Sequence, residues 1–164
     1  MAQGASSWSL DSEDLRRIED ILHRFLYQSG ARCSLIVDRT GQLVATVGER
    51  PEFDATAFAS LAAADFSAND QLATMIGEHE FSSLFHQGEK ESMYLADVAK
   101  RVILVVLFDK RTTLGMVRVK VKGVVAELRE IFDGLFSVRR LRPQLETGFA
   151  DEAEDEIDRL FGEL

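Results

Sequence analysis

Leu15, Ile18, Leu22, Phe25 and Leu26 recur at spacings of three and four, which puts them on one stripe of a helix. Asp11 or Ser12 can cap that helix, Glu13 and Asp14 lie where the helix dipole favours acids, and Gly30 supplies the stop. The period then changes to two. Cys33, Leu35 and Val37 alternate with Ser34, Ile36 and Asp38, and Leu43 to Val47 makes a returning strand. Between them Asp38-Arg39-Thr40-Gly41 is turn chemistry.

A second helix is predicted over 54–76, closed by Gly77. Phe58, Leu61, Ala68, Leu72 and Ile76 share one side of it, with Asp65 and Asn69 near the middle of that side. A buried carboxylate or amide there needs a partner. The opposite side is small and polar: Ala63, Ser67, Asp70, Gln71 and Thr74. Three strands follow, over 81–87, 91–98 and 102–108, and their short connections imply antiparallel hairpins. VILVVLF is a continuous apolar run, as in a strand covered on both faces.

The next stretch is locally ambiguous. MVRVKV alternates like a strand, whereas Leu114, Val117, Val121, Val124, Leu128, Ile131 and Leu135 step like a helix. The second pattern is longer and predicts a third helix from Thr112 or Thr113. SVRRLRPQLETG then reads as a linker over 137–148, followed by an acidic segment over 149–164. The expected organisation is an extension over 1–11, an α+β domain over 12–136 in the order α-β-β-α-β-β-β-α, the linker, and a terminal amphipathic helix.

Charge sharpens that division. Residues 146–164 hold eight acids and one base, so they carry −7 of the net −9 and leave −2 for the rest. Phosphate-backbone affinity needs a strong positive field, and the body is near neutral, so nucleic acid is not an expected partner. The terminal segment is nevertheless not purely solvating, because Ile157, Leu160, Phe161 and Leu164 form one helical face. That face either folds back on its own domain or docks in a groove of another protein. No apolar run approaches the ~20 residues of a membrane span, and MAQGASSWSLDSEDL lacks the basic and apolar regions of a secretory leader. A cytoplasmic location is therefore expected.

Catalytic signatures are missing. The sequence has no Walker A motif and no GxSxG elbow. His23, His79 and His86 are scattered, and none pairs with Cys33 at metal-ligand spacing. The lone cysteine permits no internal disulfide and sits in a strand pattern, as a buried thiol would. Asp65 lacks a partner nearby in sequence, so packing, or pairing across a dimer, is the expected role. No cofactor or metal is expected, and no catalytic residue is assigned.

The element order, the LIVDRTGQLVATVG hairpin and the LVVLFDKRTTLGMVRVKV segment resemble the Roadblock/LC7 family over residues 12–136. FASLAAADFSANDQLATMIGEHEFSSLFHQGEKESMYL resembles its bacterial MglB-type members, and Phe149 with DEIDRLF is similar to their carboxy-terminal segment. The resemblance implies a five-stranded antiparallel sheet with the second helix on one face and the first and third on the other. It also implies a homodimer built on edge strands and second helices. The activity implied is stimulation of GTP hydrolysis by a GTP-bound, MglA-like small GTPase, in cell polarity and gliding motility, with no active site of its own. The alternative is a scaffold joining polarity or motility proteins without changing nucleotide turnover.

Carried onto this sequence, the dimer interface falls on Phe58, Leu61, Asp65, Ala68, Asn69 and Leu72. The GTPase-binding surface falls on Ala63, Ser67, Asp70, Gln71 and Thr74, and the docking helix on Phe149, Ile157, Leu160, Phe161 and Leu164. Gln71 is bulkier and Asp70 more charged than the small residues of the pattern, and Asp65 stands where asparagine is favoured. The resemblance further implies concentration at a cell pole and contact with other polarity proteins.

Overall fold

The computed structural model describes residues 9–161, with side-chain surroundings described for 9–137. Helix α1 (Ser12–Ser29) begins at Asp11, whose carboxylate accepts the Asp14 amide at 2.7 Å, and stops at Gly30. It buries Ile18, Leu22 and Phe25, three members of the stripe read from the sequence. Strands β1 (Cys33–Asp38) and β2 (Leu43–Gly48) form the first hairpin. Asp38 organises its turn: one carboxylate oxygen accepts the Thr40 amide, the Thr40 hydroxyl and the Gln42 amide. Three donors on one oxygen explain why an acid only 2% exposed is tolerated there.

After helix α2 (Ala55–Met75), β3 (Ser83–Gln87), β4 (Ser92–Val98) and β5 (Val102–Phe108) complete one antiparallel sheet in the order β2-β1-β5-β4-β3. The apolar run VILVVLF becomes β5, between β1 and β4. Leu104 and Val106 are as fully buried as Ile103 and Val105, which requires cover on both faces of the sheet. On one face Leu35, Val37, Leu95, Ile103 and Val105 form a core with Ala59, Ala62, Ala63 and Phe66 of α2. α1 packs on β1 and β2, and Thr112 donates its hydroxyl to the Ser29 carbonyl at 2.6 Å, tying the end of α1 to the segment after β5.

Helix α3 runs Leu114–Phe161, so the ambiguous MVRVKV segment is helical. The Thr113 hydroxyl accepts the Met116 amide at 3.2 Å at its start, and Val117, Val121, Val124, Leu128 and Ile131 are buried. The chain divides into two units at Phe132/Asp133; the first holds the sheet, α1, α2 and the first turns of α3, and the second the remainder of α3. The helix continues through 137–148, which corrects the expected linker. Pro143 costs a helix about 3 kcal/mol, but its neighbours Arg140, Leu141, Arg142, Gln144, Leu145 and Glu146 are good helix formers.

Two local costs stand out. Ala99 and Lys100, between β4 and β5, both have positive φ (55° and 57°), a turn normally taken by Asn-Gly. Lys100→Gly is expected to raise stability by about 1 kcal/mol, read as a higher midpoint in urea unfolding at unchanged slope. Gly123, inside α3, costs about 1 kcal/mol relative to alanine, yet a Cβ placed there meets nothing within 4 Å. Packing within the protomer therefore does not call for it.

Candidate functional site

α2 meets the sheet through Ala59, Ala62, Ala63, Phe66, Asn69 and Ala73. Most of these side chains are small, so the helix lies close to the sheet and its larger apolar residues stay outside. Leu61 is 71% exposed, Leu72 57%, Met75 82% and Ile76 69%. With exposed Ala64 and Ala68 they make one continuous apolar stripe. Phe58 is half-buried and packs against Phe53, ring centroids 4.7 Å apart.

Two expectations change here. Ala63, assigned to a partner-binding surface, is buried in the protomer's own core, and Asn69, assigned to a dimer interface, is buried as well. Both lie within the arc of α2 that faces the sheet. Ser67, Gln71 and Thr74 are exposed on the adjoining polar arc, and Leu61, Ala68 and Leu72 are exposed on the apolar one.

Asp65 lies in the middle of the apolar stripe and has a partner in the same protomer. His86 Nε2 of β3 is 2.6 Å from its Oδ2. The two residues are twenty-one positions apart, so no local spacing announces the pair. β3 is the terminal strand of the sheet, and His86 and Gln87 are exposed. The apolar stripe of α2 and an unpaired strand edge are thus linked by one polar contact. An exposed sheet edge is a template for another strand, and an exposed apolar helix face is a surface to be covered.

On the other side of α2, Asp70 is not a free charge. Arg39, in the β1–β2 turn, donates to it at 2.7 Å, donates also to Asp97 at the end of β4, and lays its guanidinium 4.8 Å from the Phe66 ring centroid. A planar cation between two carboxylates and an aromatic face fixes the turn, α2 and β4 to one another. The Arg39 Nε itself is buried without a partner among the described residues. The Thr74 hydroxyl is spent on the Asp70 carbonyl at 3.2 Å. Ser67 and Gln71 are left as the polar side chains of this arc that make no such bond among the described residues.

A second ionic cluster closes the opposite end of the sheet. Arg32 pairs with Glu49 at 2.7 Å and with Glu91, and Arg111 pairs with Glu49 at 2.8 Å and with Asp109 at 3.0 Å. Hydrogen bonds from Arg32 and then Arg111 lower the Glu49 pKa, and the Arg111 backbone and side chain lower that of Asp109. These groups are surface pairs, a structural clasp of modest strength. Burial raises the Cys33 thiol above its ordinary range, the reverse of what an attacking thiolate needs. Among the described residues no cluster of His, Cys, Asp or Glu has metal-binding geometry, and no helix is long and apolar enough to cross a membrane. The docking-helix residues Phe149, Ile157, Leu160 and Phe161 fall where side chains are not described, and Leu164 lies outside the described residues.

The Roadblock/LC7 domain model matches residues 17–108, from within α1 to the end of β5. Among solved structures, Myxococcus xanthus MglB is 41% identical, covering 73% of this chain and 97% of its own, with a TM-score of 0.70. The gliding protein MglB of Thermus thermophilus is 30% identical over 76% of this chain and 95% of its own, at 0.71. An uncharacterized protein of Aquifex aeolicus is 22% identical over 95% of this chain and 96% of its own. The matched family segment contains the α2 stripe, His86 and Arg39.

Proposed function

The chain belongs to the Roadblock/LC7 domain family, and from that premise we propose that it acts as a homodimeric regulator that stimulates GTP hydrolysis by a Ras-like GTPase of the MglA type. One observation carries the reading. A chain with 41% identity to Myxococcus xanthus MglB leaves Leu61, Ala68 and Leu72 exposed beside an unpaired edge strand. Two copies related by a twofold axis bury both features at once, since such an interface uses the same patch twice. Covering Leu61 and Leu72 contributes roughly 1.5–3 kcal/mol per side chain before ordering costs.

The pair of α2 helices then presents Ser67 and Gln71 on the adjoining arc to the GTPase. Such an activator needs no catalytic side chain. It accelerates turnover by binding the hydrolysis-competent arrangement of the GTPase more tightly than the ground arrangement. Asp70 takes no direct part in this reading, because Arg39 holds it. The acidic segment 146–164 is a second, tethered contact that raises effective concentration. Its partner is a cytoplasmic GTPase engaged in cell polarity and motility.

Leu72→Asp tests the proposal, because Leu72 is 57% exposed in the protomer and the fold does not depend on it. The dimer dissociation constant is expected to rise by about thirtyfold or more, read by sedimentation equilibrium. Stimulation of GTP turnover should fall with it, while the thermal midpoint at concentrations where both proteins are monomeric stays put. If the intact chain binds the GTP-loaded GTPase tightly and leaves turnover unchanged, it is a scaffold. If Leu72→Asp remains dimeric, the α2 interface is wrong.

A further inference from the structure

The first turns of α3 carry a surface that the α2 reading does not use. Val119 is 66% exposed and Met116 46%. Between Lys110 and Ala126 the chain has five basic residues and no acid, and of these Arg118 and Lys122 are exposed beside Val119. Gly115 and Gly123 lie to either side of Val119 on this exposed face. A Cβ on Gly123 would meet nothing, and one on Gly115 would come no closer than 3.9 Å to the Thr113 hydroxyl. Both also have ordinary helical φ, so neither backbone strain nor protomer packing explains glycine here. Residues without side chains on an exposed helix face let another backbone come close. The basic flanks favour an acidic partner.

We propose that this face of α3 docks the acidic carboxy-terminal segment, residues 146–164, of a second copy of the chain. That segment carries the complementary charge, −7, and an apolar face of Ile157, Leu160, Phe161 and Leu164. Val119 and Met116 supply the apolar contact, the glycines supply the close approach, and Arg118 and Lys122 fix the orientation. The segment then has two acceptors, the GTPase and a neighbouring copy, and occupancy of one withholds it from the other. The α3 contact itself is independent of the GTPase reading, because it is measured with no GTPase present.

The test uses the full chain, with light copies mixed with copies labelled in nitrogen and equilibrated. A zero-length carbodiimide reagent joins Lys120 or Lys122 to carboxylates of 146–164, and mass spectrometry separates links between copies from links within one. Links between copies are expected, and they should fade as salt rises. They should fall about tenfold in Val119→Glu and in Gly123→Ala. Gly123→Ala should at the same time raise the thermal midpoint by a few degrees, which rules out misfolding as the cause of its loss. Links confined to one copy, no links at all, or links unchanged in both variants would overturn the proposal. So would co-sedimentation with phosphatidylserine vesicles that disappears in Val119→Glu while no link between copies forms; the surface would then face an anionic membrane.

Discussion

Phe66→Ala is expected to destabilise the protein by about 3–5 kcal/mol, a large part of the 5–15 kcal/mol typical of a domain. Phe66 is fully buried and, among the buried residues, is the one large side chain that α2 places in the core it shares with β1, β4 and β5. Its neighbours on the sheet-facing side of the helix are Ala62, Ala63 and Asn69, so no larger apolar side chain of α2 can move in to fill the space. The ring also carries the Arg39 guanidinium. Truncation leaves that half-buried cation to Asp70 and Asp97, with its buried Nε still unpartnered among the described residues. Urea unfolding checks the magnitude, and Phe66→Leu, which keeps most of the volume, should lose less than about half as much. A loss below about 1.5 kcal/mol for the alanine variant would mean that α2 is held chiefly by something other than this ring.

The same helix shows what the sequence could and could not disclose. α1 was legible because one stripe of large apolar residues met one core, and β5 because a short unbroken apolar run between two turns fits a strand buried on both faces. In α2 the usual rule inverts. The residues that face the sheet are mostly alanines, and the leucines and methionine face outward. Hydrophobic periodicity located Leu61, Ala68 and Leu72 as one face but put Asn69 among them and Ala63 with the polar set, because alanine has too little apolar weight to mark an inner face. The Asp65–His86 contact and the Arg39 clasp were illegible because their partners are 21, 31 and 58 residues apart, and only the strand order brings them together. The helix through 137–148 was hidden by Pro143, which reads as a boundary unless the good helix formers around it are weighed against its cost.

Gly48→Ala is expected to cost at least about 4 kcal/mol, which places it among the exceptional single substitutions. Two causes act together at the end of β2. Gly48 has φ 106°, outside the small left-handed region that a side chain can use. A Cβ there would also lie 2.4 Å from the Arg32 carbonyl oxygen and 2.7 Å from a Leu26 methyl. The methyl can turn away, but the carbonyl cannot, because it accepts the Glu49 amide at 2.9 Å and belongs to the pairing of β1 with β2. Relief therefore means separating the hairpin at this end, which also pulls Glu49 away from Arg32 and Arg111. Gly77 divides the two causes: its φ is 83°, and a Cβ there meets nothing within 4 Å. Gly77→Ala should lose only the conformational part, about 1–2 kcal/mol. The difference between the two midpoints in urea measures the steric part alone. Equal losses at both positions would show that the strand end yields, and that the ionic clasp beyond it does not depend on the close approach at Gly48.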